Sequence, residues 1–154
     1  MILRIFKFLQ KLALTFWLGE MLFFIIIFAP RVFKVLERAD AAKLQASIFP
    51  AYYLAGVISG AIFIFVSLSI YGARHTTSSE RWRYRFILPL ATAALCVFAY
   101  SRWSLTPAIT ALQSSILDPS TEALVREKFD YLHKLSVQLN GGALLALLVI
   151  LFLL

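Results

Sequence analysis

Four apolar runs, each close to twenty residues long, constrain this chain more than any other feature. The first covers residues 12–29 and reads LALTFWLGEMLFFIIIFA. A helix of that length rises ~27 Å, close to the hydrocarbon thickness of a bilayer. The others cover 51–71, which carries no charge, 86–106 and 135–154. Backbone polar groups in lipid must be satisfied within their own segment, so each run is predicted to be a transmembrane α-helix. A chain of 154 residues cannot cover four such runs inside a soluble core. Its residues are 61% hydrophobic and 15% charged, whereas a soluble domain is about a quarter charged. The expected fold is an all-α integral membrane protein, with one four-helix transmembrane domain over 1–154.

The connections alternate long, short, long, at 30–50, 72–85 and 107–134. Both long connections therefore fall on one side of the membrane. The N-terminus, the short connection and the C-terminus fall on the other. In the first long connection, Val32, Leu36 and Ala39 recur at helical spacing, while Arg31, Lys34 and Arg38 form a separate basic stripe. This pattern predicts an amphipathic helix in the interface between spans one and two. A solvated helix packed on the bundle is the alternative. In the second, Asp118-Pro119 reads as an N-cap and first helical residue. From there EALVREKFDYLHKL forms a helical extension running into span four, with Arg126 and Asp130 spaced to pair.

Arg4, Lys7 and Lys11 precede span one. Basic residues ahead of an apolar run could be a secretory signal. No A-x-A site follows, Pro30 comes directly after Ala29, and Glu20 interrupts the core, so a retained helix is expected. Four arginines crowd the short connection, whereas acids dilute the cations of the long ones. The positive-inside tendency then places both termini in the cytoplasm, in a plasma or inner membrane. The net charge of +7 is gathered beside the apolar runs. It points to the lipid bilayer as partner and not to nucleic acid. A lone Cys96 cannot form an internal disulfide, and it reads as a small buried hydrophobe. Pro89 falls in the first turn of span three, where proline is tolerated.

There is no Walker loop, Rossmann fingerprint, HExxH, CxxC or GxSxG. Chemistry must come from polar residues within the spans. Glu20 lies about 12 Å along span one, near the bilayer middle. A carboxylate there should face the bundle and find a partner or a proton. Either a cation or ligand site or a structural interhelix bond would satisfy it. Arg102, one turn from the end of span three, can snorkel or turn inward toward Glu20. His133, Ser136 and Asn140 share one face of span four, and Asp130 is placed to orient the His133 ring. Their alternative role is interhelix hydrogen bonding. Tyr52 and Tyr53 open span two, and Tyr100 and Trp103 close span three, at depths where aromatics form interfacial belts. Topology gathers Tyr52, Tyr53, Tyr100, Arg102, His133, Ser136 and Asn140 in one half of the bundle, with Glu20 as its floor. They would line a pocket opening toward the long connections. The other half lacks comparable polar groups. Gly56 and Gly60 make a GxxxG step for helix packing, within the bundle or in a homo-oligomer. No metal set emerges, since His75 is on the side opposite His133.

Several patches occur together in order: Trp17-Leu18-Gly19 with Phe23 and Phe24, Ala29-Pro30 with Phe33, Phe49-Pro50 with Tyr52-Tyr53, and Leu132-His133 with Ser136 and Asn140. The set resembles the transmembrane protein 205-like domain family of small four-helix membrane proteins. The resemblance implies a four-helix bundle, and through eukaryotic relatives an association with tolerance of toxic metal compounds. Four-helix proteins of copper resistance and haem synthesis are similar in outline, and His133-Lys134 echoes the His and Lys positions of the haem type.

Three functions compete. The first, taken forward, is a binding or transport module whose polar half-pocket holds a small cation, metal compound or polar lipid group. The second is a structural or accessory subunit without a ligand. The third is an oxidoreductase using haem at His133 or a quinone. A single axial histidine argues against bis-His haem. No catalytic residue is assigned, the cofactor is left open, and whether the chain is an enzyme stays undecided, with a non-enzyme favoured.

Overall fold

The computed structural model describes residues 1–73, 77–116 and 123–154, apart from the side chains at 38, 114 and 116. The described residues form α1 (Ile2–Leu22), a π-helical stretch (Phe23–Phe28), α2 (Ala29–Val35), α3 (Arg38–Gly72), α4 (Ser78–Tyr100), a second π-helical stretch (Ser101–Leu105), α5 (Thr106–Ile116) and α6 (Ala123–Leu153). These join into four rods, Ile2–Val35, Ala39–Gly72, Ser78–Gln113 and Ala123–Leu153, each long and apolar enough to cross a membrane. A rod of that length rises ~50 Å against a hydrocarbon core of ~30 Å, so each extends beyond it.

Helix α1 packs on α3, α3 on α4, α4 on α6, and α6 on α1. The bundle is thus a closed square with α1 and α4 on one diagonal. Its axis is filled by Leu14, Trp17, Met21, Tyr53, Phe63, Phe98, Leu147 and Ile150. The outer surface carries Phe16, Phe65, Leu145 and Phe152, all exposed. A surface this apolar suits lipid and not water. Cys96 is on that surface. The expectation of a buried cysteine is corrected: Cys96 points outward among the exposed apolar side chains and not into the bundle.

Each helix starts earlier than the hydropathy suggests. At Thr77 the hydroxyl accepts from the Glu80 N–H at 3.2 Å, and the Glu80 carboxylate accepts from the Thr77 N–H at 3.0 Å. This capping box begins α4 at Ser78. Pro89 is therefore an interior residue and not a first-turn one, and Pro50 is likewise inside α3.

Proline lacks an N–H and its ring crowds the carbonyl four residues back. For Pro30 and Pro107 those carbonyls belong to Ile26 and Trp103, each within a π-helical stretch. There the Ala29 N–H bonds the Phe24 carbonyl and the Thr106 N–H bonds the Ser101 carbonyl, both five residues back. The widened turn relieves the clash and lets the rod continue.

The first long connection is helical, but the interfacial helix expected there is not a separate element. Its first part continues span one as α2, and its second opens α3. The chain reverses at Leu36 and Glu37, both extended. Val32 is buried, as its place on an apolar stripe required. The extension before span four is continuous with it in α6. Asp118-Pro119 lies outside the described residues.

The order of the rods makes a topological prediction. In a Cys96→Ala background, a cysteine at Gln45 and one at Ser78 should react with an impermeant maleimide from opposite faces. Reaction of both from one face would break the four-span arrangement.

Candidate functional site

The centre of the bundle is built across its diagonal. Trp17 of α1 meets Phe98 of α4 edge-to-face at 5.7 Å, and both are fully buried. Two small positions on α3 make this possible. A Cβ at Gly60 would lie 2.6 Å from the Trp17 ring. One at Gly56 would fall on the Phe98 ring and lie 2.8 Å from Glu20 Oε1. The GxxxG face is thus filled by side chains of the same chain.

Glu20 sits one turn beyond Trp17, and Ser101 one turn beyond Phe98. Because α1 and α4 run in the same direction, both residues are at one level, on the long-connection side of the Trp17–Phe98 contact. Glu20 Oε1 is buried without a hydrogen-bond partner. Ser101 is fully buried and its Oγ has none either. The Trp17 indole nitrogen is the third unpartnered atom of this group.

Aromatic rings close the site from α3. Tyr52 stacks on Phe24 at 4.7 Å and approaches Phe98 at 5.7 Å. Tyr53 lies 5.6 Å from Phe98 and stacks on Phe49 at 5.8 Å. The tyrosine hydroxyls turn to α6. Tyr52 donates to Asn140 Oδ1 at 3.2 Å, and Asn140 Nδ2 donates to the Tyr53 hydroxyl at 2.6 Å and to the Ser136 carbonyl at 3.1 Å. The Tyr53 and Ser136 hydroxyls are 3.4 Å apart. This network is closed on itself.

Of the residues singled out from sequence, Glu20, Tyr52, Tyr53, Ser136 and Asn140 therefore come together. Three do not join them. Tyr100 is exposed on the bundle exterior. His133 is exposed and stacks on Phe129 at 6.0 Å. It shares Asn140's side of α6 but stands about 10 Å nearer the helix start. Arg102 is half-buried, with its guanidinium 6.0 Å over the neighbouring Trp103 ring and its Nε unpartnered. It does not bond Glu20. Among the described residues, no three metal-binding side chains cluster.

The opposite half of the bundle is not apolar, which corrects the sequence reading. Lys7 Nζ donates to Glu80 Oε1 at 2.7 Å. Gln10 Nε2 donates to Ser67 Oγ at 2.7 Å, and Tyr84 donates to Gln10 Oε1 at 3.1 Å. Gln10, Ser67 and Tyr84 are all buried. The Lys7–Glu80 pair was within reach of sequence, because the Thr77-x-x-Glu80 signature moves the start of α4 back to the level of Lys7.

Asn140 supplies a prediction for the closed network. Asn140→Leu should lower stability by about 1–2 kcal/mol, given ~0.6 kcal/mol per average interhelix bond in membranes. Thermal unfolding in detergent measures it. An unchanged midpoint would mean that the network contributes nothing.

Residues 12–117 match the family described as Domain of unknown function (DUF4149). A stretch of 60 residues is 42% identical to an "Uncharacterized protein" of Aquifex aeolicus (strain VF5), covering 37% of this chain and 46% of that relative. The match thus spans less than half of the relative's length. No solved structure matches.

Proposed function

The chain belongs to the family described as Domain of unknown function (DUF4149), and on the geometry above we propose that it is a membrane module that binds, or carries across the bilayer, a small monovalent cation held at Glu20. One observation carries this reading: Glu20 Oε1 is buried against Gly56 of α3 with no hydrogen-bond partner. A carboxylate at that depth requires a positive charge, water or a proton. The chain's own candidate, Arg102, is turned to Trp103. The Ser101 hydroxyl adds a second free oxygen at the same level. The aromatic surroundings of Trp17, Phe98 and Tyr52 favour a weakly hydrated or organic cation over a strongly hydrated one. One carboxylate matches one charge. A divalent metal would need more oxygen, nitrogen or sulfur ligands than this site offers. The likeness to transmembrane protein 205-like proteins fits a ligand-handling membrane bundle.

Thermal unfolding in lipid nanodiscs tests the proposal. Wild type should gain stability as sodium, potassium or tetramethylammonium replaces N-methylglucamine, and Glu20→Gln should be flat. Equal responses in both proteins would overturn it.

A structural role has its own supporting observation in the closed Tyr52–Tyr53–Ser136–Asn140 network, whose groups are satisfied by one another. In the proposal that network is the clasp holding α3 to α6, while Glu20 receives the ligand. Both termini are assigned to the cytoplasm, following the density of cations around Arg81, Arg83 and Arg85. A cysteine at Ser78 should then label only in permeabilised cells.

A further inference from the structure

At the short-connection end, α1, α4 and the end of α6 line a cavity of about 170 Å³. Its floor is the buried Gln10–Tyr84 pair, and its walls carry Lys7, Lys11, Arg83 and Glu80. Among the side chains that line it, three are cationic and one, Glu80, is a carboxylate, which Lys7 engages; Leu153 and Leu154 complete the wall. Arg83 is fixed by one nitrogen, Nη1, which donates to the Leu153 carbonyl at 3.1 Å. A guanidinium has five N–H donors in a rigid fork, so most remain for a ligand. Lys11 lines the same cavity and is exposed.

Depth identifies the class of ligand. Lys7 and Lys11 directly precede the first apolar run, Glu80 and Arg83 directly precede the third, and Leu153 closes the fourth. Flanking the apolar runs in this way, they belong at the level where hydrocarbon gives way to headgroups. Phosphates of the surrounding lipids lie at that level, and basic pockets between membrane helices bind phosphate-bearing headgroups. The cavity has room for a tetrahedral anion, since one water takes ~30 Å³ of the liquid.

We propose that the cavity between Lys7, Lys11 and Arg83 is a binding site for a phosphate group, supplied by a net-anionic lipid headgroup or by a soluble phosphate. Arg83 makes the directional contact, Lys11 supplies charge from the rim, and Lys7 is held in place by Glu80. The hydroxyl of Tyr84 is committed to Gln10, so it keeps the floor rigid. The site is at the opposite end of the bundle from Glu20 and does not depend on the cation reading.

The test is thermal unfolding in phosphatidylcholine nanodiscs, with phosphatidylglycerol added or with inorganic phosphate at constant ionic strength. Four proteins are compared: wild type, Lys11→Gln, Lys11→Gln with Arg83→Gln, and Arg85→Gln. Arg85 is an exposed cation of the same end that does not line the cavity. Phosphatidylglycerol should stabilise wild type and the Arg85 variant. The double variant should need at least about tenfold more of it for the same shift, the loss expected for a charge-assisted phosphate contact. Lys11→Gln alone should fall between, and because Lys11 is exposed this variant keeps its fold if the double variant does not. The same ordering with inorganic phosphate, and none with the lipid, supports the site with a soluble source. If Lys11→Gln responds as wild type and Arg85→Gln do, or if neither probe stabilises wild type, the proposal fails.

Discussion

Gly56→Ala is expected to destabilise the bundle by about 1–3 kcal/mol, the range for forcing an extra methyl into a filled core. The sign is what makes the result informative. In an open helix interior the same change stabilises by ~1 kcal/mol, because alanine is the better helix former. At Gly56 the new Cβ falls on the Phe98 ring. That ring cannot retreat easily, since Trp17, Tyr52 and Tyr53 pack around it. Gly141→Ala serves as the reference, because nothing lies within 4 Å of the added atom there. Phe98→Leu should recover part of the loss in the Gly56→Ala background by opening the contested space. Thermal midpoints of the four proteins in one detergent decide the matter. A Gly56→Ala protein as stable as the Gly141→Ala one would show that the diagonal contact over α3 is not formed.

Glu20 carries the second large effect, and here the two obvious substitutions should part. Glu20→Gln keeps the shape and removes the charge, so it should abolish the cation response with little change in the fold. Glu20→Leu should make the ligand-free protein more stable than wild type. On the insertion scale, an aspartate at mid-bilayer is unfavourable by about 2.5–3.5 kcal/mol, and that sets the upper bound for the gain. Calorimetry in cation-free buffer measures it. A Glu20→Leu protein less stable than wild type would mean that the carboxylate makes a structural bond, and the binding reading would fall with it. Natural sites often keep such an unfavourable group because function needs it.

The four rods were legible because length and hydropathy alone determine them. The inward position of Glu20 was legible for an energetic reason, as was the meeting of Tyr52 and Tyr53 with Ser136 and Asn140, which follows from topology and helix period. The case of His133 shows the limit of that argument. A shared helix face states direction, whereas burial also depends on height, and His133 stands two turns above Asn140. The Gln10–Ser67–Tyr84 group was not legible. Each is a lone polar residue in or beside an apolar run, and their meeting depends on the relative heights of three rods. Those heights are set in part by Thr77 and Glu80, which start α4 early, and by packing that no local pattern records. The roles of Gly56 and Gly60 were open for a similar reason: a GxxxG step permits close approach without saying what approaches. Here rings from two diagonal helices do so.

That diagonal contact has a consequence for traffic through the protein. On α1 the order is Lys7, Gln10, Trp17, Glu20, and along α4 into the second π-helical stretch it is Tyr84, Phe98, Ser101. Trp17 and Phe98 therefore stand between the Gln10–Tyr84 level on one side and the Glu20–Ser101 level on the other. An ion following the bundle axis meets two fully buried rings in edge contact. In this form the two rings close the bundle axis at their level. On the cation reading proposed above, an ion that reaches Glu20 from the long-connection side leaves the same way unless the two rings separate. Measurements on this protein should accordingly find carrier-like, saturable exchange or simple binding, and no single-channel current.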